Sequence, residues 1–153
     1  MGLAVATGKP LVGVSALDAL AVHAAGASIA REVASIATWV DAWRGDVYAA
    51  RYRDGREVEP PVVASPASLL DSLEGTDVVF VGDGAAAYRD LIGTRLGGGA
   101  RFADPLVPLL AGRVGLLAGE AIRRGERPSP DAIRPLYVRR PDAELARADR
   151  TSQ

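Results

Sequence analysis

Apolar residues dominate two neighbouring stretches of the chain, residues 33–41 and 46–53, and in the first an extended backbone would put Ile36, Thr38 and Val40 on one face and Ala37 and Trp39 on the other. Because successive side chains of an extended backbone point to opposite faces, each stretch predicts a strand. The dipeptide Asp54-Gly55 follows the second stretch and is a strong signal for a two-residue hairpin turn, which leads into a third strand near residues 56–59. The pair Pro60-Pro61 cannot donate ladder hydrogen bonds, so we expect this third strand to be an edge strand or to stop there.

Elsewhere the apolar spacing predicts helices that alternate with short strands. Helices are predicted over residues 2–7, 15–27, 66–73, 85–92 and 105–124. Strands are predicted over residues 11–14, 77–81 and 101–103. Ser15 and Ser65 stand where the side chain of an N-cap would stand, and Gly8 stands where a left-handed C-cap would. The pattern therefore predicts an α/β domain in which a mixed sheet contains an antiparallel hairpin and is flanked by helices.

The composition is that of a globular domain. The 153 residues are 48% hydrophobic and 24% charged, which is enough apolar material for a core. The chain has no Cys, so disulfides, zinc-thiolate sites and Cys nucleophiles are excluded. No basic residue precedes the N-terminal apolar stretch, and no run approaches the roughly 20 apolar residues of a spanning helix. We therefore predict a cytoplasmic protein that does not contact the membrane.

Charge is spread unevenly, although the net charge is only -1. Residues 123–150 carry eight basic and five acidic side chains, and all eight cations are Arg. Arg binds phosphate in a bidentate manner, so this segment could be a tail that contacts RNA. Lys9 is the only lysine of the chain, however, so a general preference for Arg over Lys and a solvated tail explain the same pattern.

The side chains that hydrolytic chemistry needs are missing from the sequence. His23 is the only histidine, so the HExxH pattern of metalloproteases, which places two histidines on one helical face, cannot form. The segment around Ser15 lacks the second glycine of a nucleophile elbow. The absence of these side chain patterns favours a protein without catalytic residues. We expect His23 to have an ordinary role in helix packing or at the surface.

Residues 82–87 read Gly-Asp-Gly-Ala-Ala-Ala and come between a predicted apolar strand and a predicted helix. This is a G-x-G-x-x-A pattern in which Gly82 and Gly84 could let backbone N–H groups approach a pyrophosphate, while Asp104 could bind a ribose hydroxyl. Asp83, however, puts a negative charge where the anion would sit. A tight turn between strand and helix explains the same residues without a ligand.

A resemblance to a known family runs along nearly the whole chain. Residues 41–52 read Asp-Ala-Trp-Arg-Gly-Asp-Val-Tyr-Ala-Ala-Arg-Tyr, which closely resembles the DARxGEVYxAxY hairpin of the TsaB (YeaZ) family. Residues 8–21 and 135–144 resemble the same family in the same order, and residues 81–85 are similar to its VGxGA turn. Because these matches are ordered and distributed, the chain is identified as a member of this family.

The family consists of bacterial proteins needed to make threonylcarbamoyladenosine in tRNA, often labelled M22 glycoproteases. The resemblance implies an actin-like ATPase (ASKHA, RNase H-like) architecture that has lost its catalytic residues and holds no cofactor. It implies a non-catalytic scaffold or activator subunit that supports a TsaD-like transferase, with a TsaE-like ATPase as a further component and only indirect association with tRNA. The alternatives are a small nucleotide-binding enzyme that uses residues 82–87, and a glycoprotease.

The resemblance also sets the expected domain organisation. Residues 1–140 are expected to form one C-terminal subdomain, and residues 141–153 an irregular or disordered tail. The N-terminal subdomain of the family, with its GPGSFTGxR segment, has no counterpart here, so we expect a fragment or a start-site variant. Family interfaces lie largely in that subdomain, and its absence makes a homodimer through newly exposed surfaces plausible.

The hairpin and a C-terminal segment supply the predicted interaction or structural motif. Its residues are Asp41, Arg44, Gly45, Tyr48, Tyr137 and Arg139. Asp at a turn commonly accepts backbone hydrogen bonds, and a structural use of Asp41 and Arg44 is the alternative to a binding role. Trp43 replaces the Arg or similar polar residue that is usual in the family at this turn, which could alter what the hairpin tip contacts.

Overall fold

The computed structural model of the protein describes residues 2–26, 35–129 and 133. The helices are α1 Gly2–Thr7, α2 Ala16–Ala25, α3 Pro66–Asp71, α4 Asp83–Ala87, α5 Arg89–Leu96 and α6 Ala111–Arg123. The strands are β1 Ser35–Asp41, β2 Val47–Arg53, β3 Arg56–Ala64, β4 Val78–Val81 and β5 Ala100–Phe102. None of the helices in these ranges is long and apolar enough to cross a bilayer.

The five described strands form one mixed sheet in the order β3-β2-β1-β4-β5. The pairs β1-β2 and β2-β3 are antiparallel, whereas β1-β4 and β4-β5 are parallel. All four residues of β4 are fully buried, as expected for a parallel strand with helices on both faces. The predicted α/β class, with an antiparallel hairpin inside a mixed sheet, is confirmed.

The alternation of the hairpin strands divides the core into two halves. Ile36 and Val40 of β1 pack on one face with α2, in a cluster that also contains Tyr52. Trp39 points to the opposite face and packs with residues of α3, α4 and α5. There its ring meets that of Phe80 edge-on, with the ring centroids 5.2 Å apart. A shift of one residue in the register of β1 would exchange the two faces, so the core fixes the register.

Local signals set several of the element boundaries as expected. The Ser15 side chain accepts a hydrogen bond from the Leu17 N–H and caps α2, and the Ser65 hydroxyl accepts one from the Ser68 N–H and caps α3. Asp54 and Gly55 both have positive φ, 52° and 72°, which is the signature of a type I′ hairpin turn. The predicted turn is confirmed.

Strand β3 is the edge of the sheet, as predicted, but it continues to Ala64 instead of ending near residue 59. The strand can include Pro60 and Pro61 because its pairing with β2 shifts at these residues. Ala49 pairs with Val62, while Arg51 pairs with Glu59, so the proline pair lies in an irregularity where ladder hydrogen bonds are not required.

Three predicted elements are wrong. Residues 11–14 form no strand, because four apolar residues become a strand only where a neighbouring strand offers pairing. The helix predicted over 85–92 is instead two helices separated at Tyr88, whose φ and ψ of -109° and 21° interrupt the helical backbone. The last helix begins at Ala111 and not at residue 105, and Pro108 would have interrupted the predicted helix.

Candidate functional site

The tip of the β1-β2 hairpin is a short loop held in an unusual backbone conformation. The Ala42 N–H donates to the Asp46 carbonyl at 3.0 Å, and the Asp46 N–H donates to the Trp43 carbonyl at 3.2 Å. Within this loop Trp43 and Arg44 both have φ of 60°, followed by Gly45 at 86°. Positive φ is uncommon for residues that carry a Cβ and unfavourable for bulky ones, so the surrounding hydrogen bonds must hold Trp43 in place.

Asp41 and Asp83 fix the tip with their carboxylates. The Asp41 side chain accepts a hydrogen bond from the Trp43 N–H, with Oδ1 2.9 Å from N. The Asp41 backbone N–H in turn donates to Oδ1 of Asp83, at 3.1 Å. Because Asp83 begins α4, this chain of bonds ties the hairpin tip to the turn that follows β4. The two motifs singled out in the sequence are therefore neighbours in space.

The two glycines of that turn lie in close contact with β1. Gly82 has φ of +114°, and a Cβ there would lie 2.1 Å from the Trp39 carbonyl oxygen. A Cβ on Gly84 would lie 3.0 Å from backbone carbon atoms of Trp39 and Val40. Both positions require glycine because the turn packs directly on the neighbouring strand.

Two of the backbone N–H groups that a pyrophosphate would use, those of Gly82 and Gly84, already have partners inside the protein. The Gly82 N–H donates to the Leu106 carbonyl at 2.8 Å. The Gly84 N–H donates to the Asp83 carboxylate at 2.9 Å. Asp104 lies after β5, which is the parallel neighbour of β4, so its place in the fold agrees with the ribose-binding hypothesis. The occupied N–H groups and the Asp83 charge favour the interpretation as a packed turn.

The hairpin tip exposes Trp43, Arg44 and Gly45 to solvent. Trp43 is 75% exposed, although Trp is usually among the largely buried residues. Arg44 and Gly45 are also exposed, and Tyr48 is half-buried at a position paired with Val40. Trp and Arg are enriched at the energetic centres of protein interfaces, so this tip has the chemistry of a contact surface.

The other predicted site residues are spread over the molecule. His23 contacts the Pro105 carbonyl through Nε2 at 3.2 Å, which gives it a packing role. Tyr137 and Arg139 lie outside the described residues, as does the predicted tail. In the part of the chain that the structure describes, no group of three His, Asp or Glu residues is placed to hold a metal ion.

Two features of this site were not predicted from the sequence. Asp83 was expected only to oppose anion binding, whereas its carboxylate connects the glycine turn to the hairpin. An Asp at the first residue of a predicted helix is a signal for such use, because it can accept free N–H groups at a helix start. The left-handed backbone at Trp43 was also not predicted, and the sequence carries no signal for it.

Comparison with known proteins identifies the family. The family model described as TsaD, tRNA N6-adenosine threonylcarbamoyltransferase, matches residues 1–146. The chain belongs to this family. It is also similar over 144 residues to an uncharacterized protein of Mycobacterium leprae (strain TN), with 34% identity, covering 94% of this chain and 33% of the relative.

Two solved structures are similar to the chain in fold and sequence. One is YeaZ from Pseudomonas aeruginosa, with 27% identity and a TM-score of 0.67 over 89% of this chain and 64% of that one. The other is an uncharacterized protein similar to peptidase YEAZ from Pseudomonas aeruginosa, with 26% identity and a TM-score of 0.67 over 90% of this chain and 63% of that one. The predicted TsaB (YeaZ) resemblance and actin-like fold class are confirmed.

The chain matches only a part of each of these relatives. The chain spans about a third of the length of the Mycobacterium leprae protein and slightly less than two thirds of the two solved chains. The described sheet and helices therefore correspond to a part of the YeaZ architecture.

Proposed function

We propose that the protein is a non-catalytic scaffold or activator subunit in the formation of N6-threonylcarbamoyladenosine in tRNA, supporting a TsaD-like transferase. The observation that carries the proposal is the likeness to YeaZ over about nine tenths of this chain, within a family whose model bears the name of the transferase. The proposal includes a cytoplasmic location, a TsaE-like ATPase as a further component, and association with tRNA only through the assembly.

The chemistry of the candidate site supports a role without catalysis. The N–H groups of Gly82 and Gly84 are hydrogen-bonded to the Leu106 carbonyl and the Asp83 carboxylate, so a phosphate would have to displace these partners. The only His of the chain packs against a backbone carbonyl. A polar group that already has a good partner must lose it before it can act on a substrate, and this makes the turn a poor phosphate site.

The hairpin tip supports a role in binding a partner. It presents Trp43 and Arg44 to solvent on a loop whose backbone is held by Asp41. A loop that is fixed before binding loses little conformational entropy when a partner docks, and this favours affinity. We propose that Asp41, Arg44, Gly45 and Tyr48, with Tyr137 and Arg139, belong to the contact surface or support it.

Reconstitution tests the proposal directly. The TsaD-like and TsaE-like proteins of the same organism, with the enzymes that supply the threonylcarbamoyl group, are incubated with tRNA with and without this chain. We expect modified adenosine to form much faster when the chain is present, as measured by mass spectrometry of digested tRNA. No change on addition, together with no binding of the TsaD-like protein, would contradict the scaffold role.

The two rival functions have their own measurements. Micromolar affinity of the isolated chain for ATP or NAD, measured by calorimetry, would favour the nucleotide-binding enzyme. Chelator-sensitive cleavage of glycoproteins by the pure chain would favour the glycoprotease. We expect neither, because the glycine turn is internally bonded and the sequence lacks the histidine pair of a zinc peptidase.

A further inference from the structure

A cavity of about 300 Å³ lies at the sheet face covered by α2, away from the hairpin tip. It is formed by α2, the ends of β1 and β2, the turn before β3, the start of β3, and α6. Its lining residues are Asp18, Ala21, Val22, Ala25, Ile36, Tyr52, Gly55, Glu57 and Leu117. The volume is at the lower end of the range that small-molecule sites occupy.

The cavity combines apolar walls with two carboxylates. Val22, Ile36 and Leu117 supply aliphatic surface, whereas Asp18 and Glu57 supply negative charge. No Lys or Arg is among the lining residues. Arg113 is a nearby cation, and its Nη2 lies 3.9 Å from the point where a Cβ of Gly26 would be, at the end of α2 and outside the lining.

Tyr52 is hydrogen-bonded to one of the two carboxylates, that of Asp18. Only 5% of Tyr52 is exposed, and its hydroxyl donates to Oδ1 of Asp18 at 2.6 Å. Burial raises the pKa of Tyr52, and so do the hydrogen bond from its hydroxyl to Asp18 and the charges of Asp18 and Glu57. Both carboxylates are therefore close enough to act on one buried hydroxyl. Because Tyr52 uses only part of the acceptor capacity of Asp18, that carboxylate can accept further hydrogen bonds.

We propose that this cavity binds a small aliphatic cation, an ammonium or guanidinium group on a short alkyl chain. The cation would donate to the Asp18 and Glu57 carboxylates, while the alkyl chain would pack on the aliphatic wall. The half-buried Asp18 carboxylate favours a charged partner, and the apolar walls favour an alkyl chain over a hydrated metal ion. This binding site is independent of the proposed role in tRNA modification.

Three ligands of equal length test the charge selectivity: pentylammonium, pentan-1-ol and pentanoate. Binding to the full chain is followed by ¹H-¹⁵N NMR shifts of residues around the cavity. We expect pentylammonium to bind about tenfold more tightly than pentan-1-ol, because a hydrogen bond to a charged group contributes roughly that factor or more. Pentanoate is expected to bind more weakly than the alcohol.

Matched variants localise the binding. Asp18→Asn and Glu57→Gln remove one charge each with little change in shape, and each is expected to weaken pentylammonium binding several-fold. Glu57 is exposed on the edge strand, so its variant is expected to fold even if the loss of the Asp18 charge disturbs α2. Glu120→Gln, on the exposed side of α6, is the control and is expected to leave the affinity unchanged.

Several results would overturn the proposal. Equal affinity for pentylammonium and pentan-1-ol would show that the carboxylates play no part. An equal loss in Glu120→Gln would show a diffuse charge effect instead of a site. Absence of saturable binding would also overturn it. Residues 27–34 join Gly26 to Ser35 and carry Arg31, so tighter binding by Arg31→Ala would show that the chain supplies its own cation and needs no ligand.

Discussion

The Asp83 carboxylate accepts a hydrogen bond from the Asp41 backbone N–H, with Oδ1 3.1 Å from N. The same oxygen accepts from the Gly84 N–H at 2.9 Å. One side chain thus satisfies a donor at the end of β1 and a donor at the start of α4. The hairpin tip and the glycine turn depend on each other through this contact.

Replacing Asp83 is therefore expected to weaken the whole tip. Asp83→Ala removes the acceptor for two backbone donors and is expected to lower the free energy of unfolding by about 1–2 kcal/mol. Asp83→Asn keeps an acceptor oxygen and is expected to lower it by less than half as much. Urea denaturation measures both, with Asp90→Ala in the first turn of α5 as the control. A loss no larger than that of the control would contradict the role of Asp83.

Gly82 is expected to tolerate no side chain. In Gly82→Ala the Cβ would meet the Trp39 carbonyl oxygen, and the positive φ would be strained as well, so we expect a loss of more than about 2 kcal/mol or failure to fold. Gly93→Ala is the matched control, because Gly93 lies in α5 with nothing within 4 Å of the added Cβ. That variant is expected to gain up to about 1 kcal/mol, as measured by thermal melting. Equal melting temperatures for the two variants would refute the packing argument.

Two variants of Trp43 separate its backbone strain from its exposed ring. Trp43→Ala keeps a Cβ at φ of 60°, whereas Trp43→Gly removes it. We expect the Gly variant to be more stable than the Ala variant by about 1 kcal/mol in urea denaturation, because glycine adopts the left-handed region without strain. If the tip binds the transferase-like partner, both variants are expected to bind it more weakly. If the Ala variant were the more stable of the two, the residue would not hold its positive φ in solution, and the prediction of backbone strain would be contradicted.

Tyr52 is expected to make stability depend on pH in the alkaline range. The folded state holds the pKa of Tyr52 above its ordinary value near 10, chiefly through burial. The unfolded chain therefore releases this proton first as pH rises. The stabilisation is fully present below about pH 10 and declines above it by about 1.4 kcal/mol per pH unit. Tyr52→Phe is expected to remove that decline, and an unchanged slope in this variant would show that other groups cause it.

The hairpin was predictable because its signals are local. Alternation assigns Ile36 and Trp39 to opposite faces, and Asp54-Gly55 fixes the turn, so strand identity, faces and turn type follow from neighbouring residues alone. The extension of β3 beyond residue 59 depends on a shift in pairing with β2, which no short window of sequence reveals.

The late start of the last helix, α6, has a cause that lies outside its own segment. Val107 and Leu110 continue the helical spacing of α6, but the segment before Ala111 connects the two sides of the sheet. Leu106 packs on the Trp39 side, and Leu110 packs on the α2 side. This tertiary demand outweighs the local preference for helix. The pattern of Gly82 and Gly84 was visible in the sequence, but whether it serves a ligand or packing is decided by the distance to Trp39, which only the structure supplies.

The proline pair in β3 restricts how copies of the protein could assemble. A further strand that adds to a sheet needs a continuous row of backbone donors along the outermost strand, and two adjacent residues of β3 have none. Strand addition would have to stop or bend at residues 60–61. The prolines thus protect this side of the sheet against fibre-like growth, and an oligomer that leaves the sheet intact is expected to use helical or loop surfaces instead.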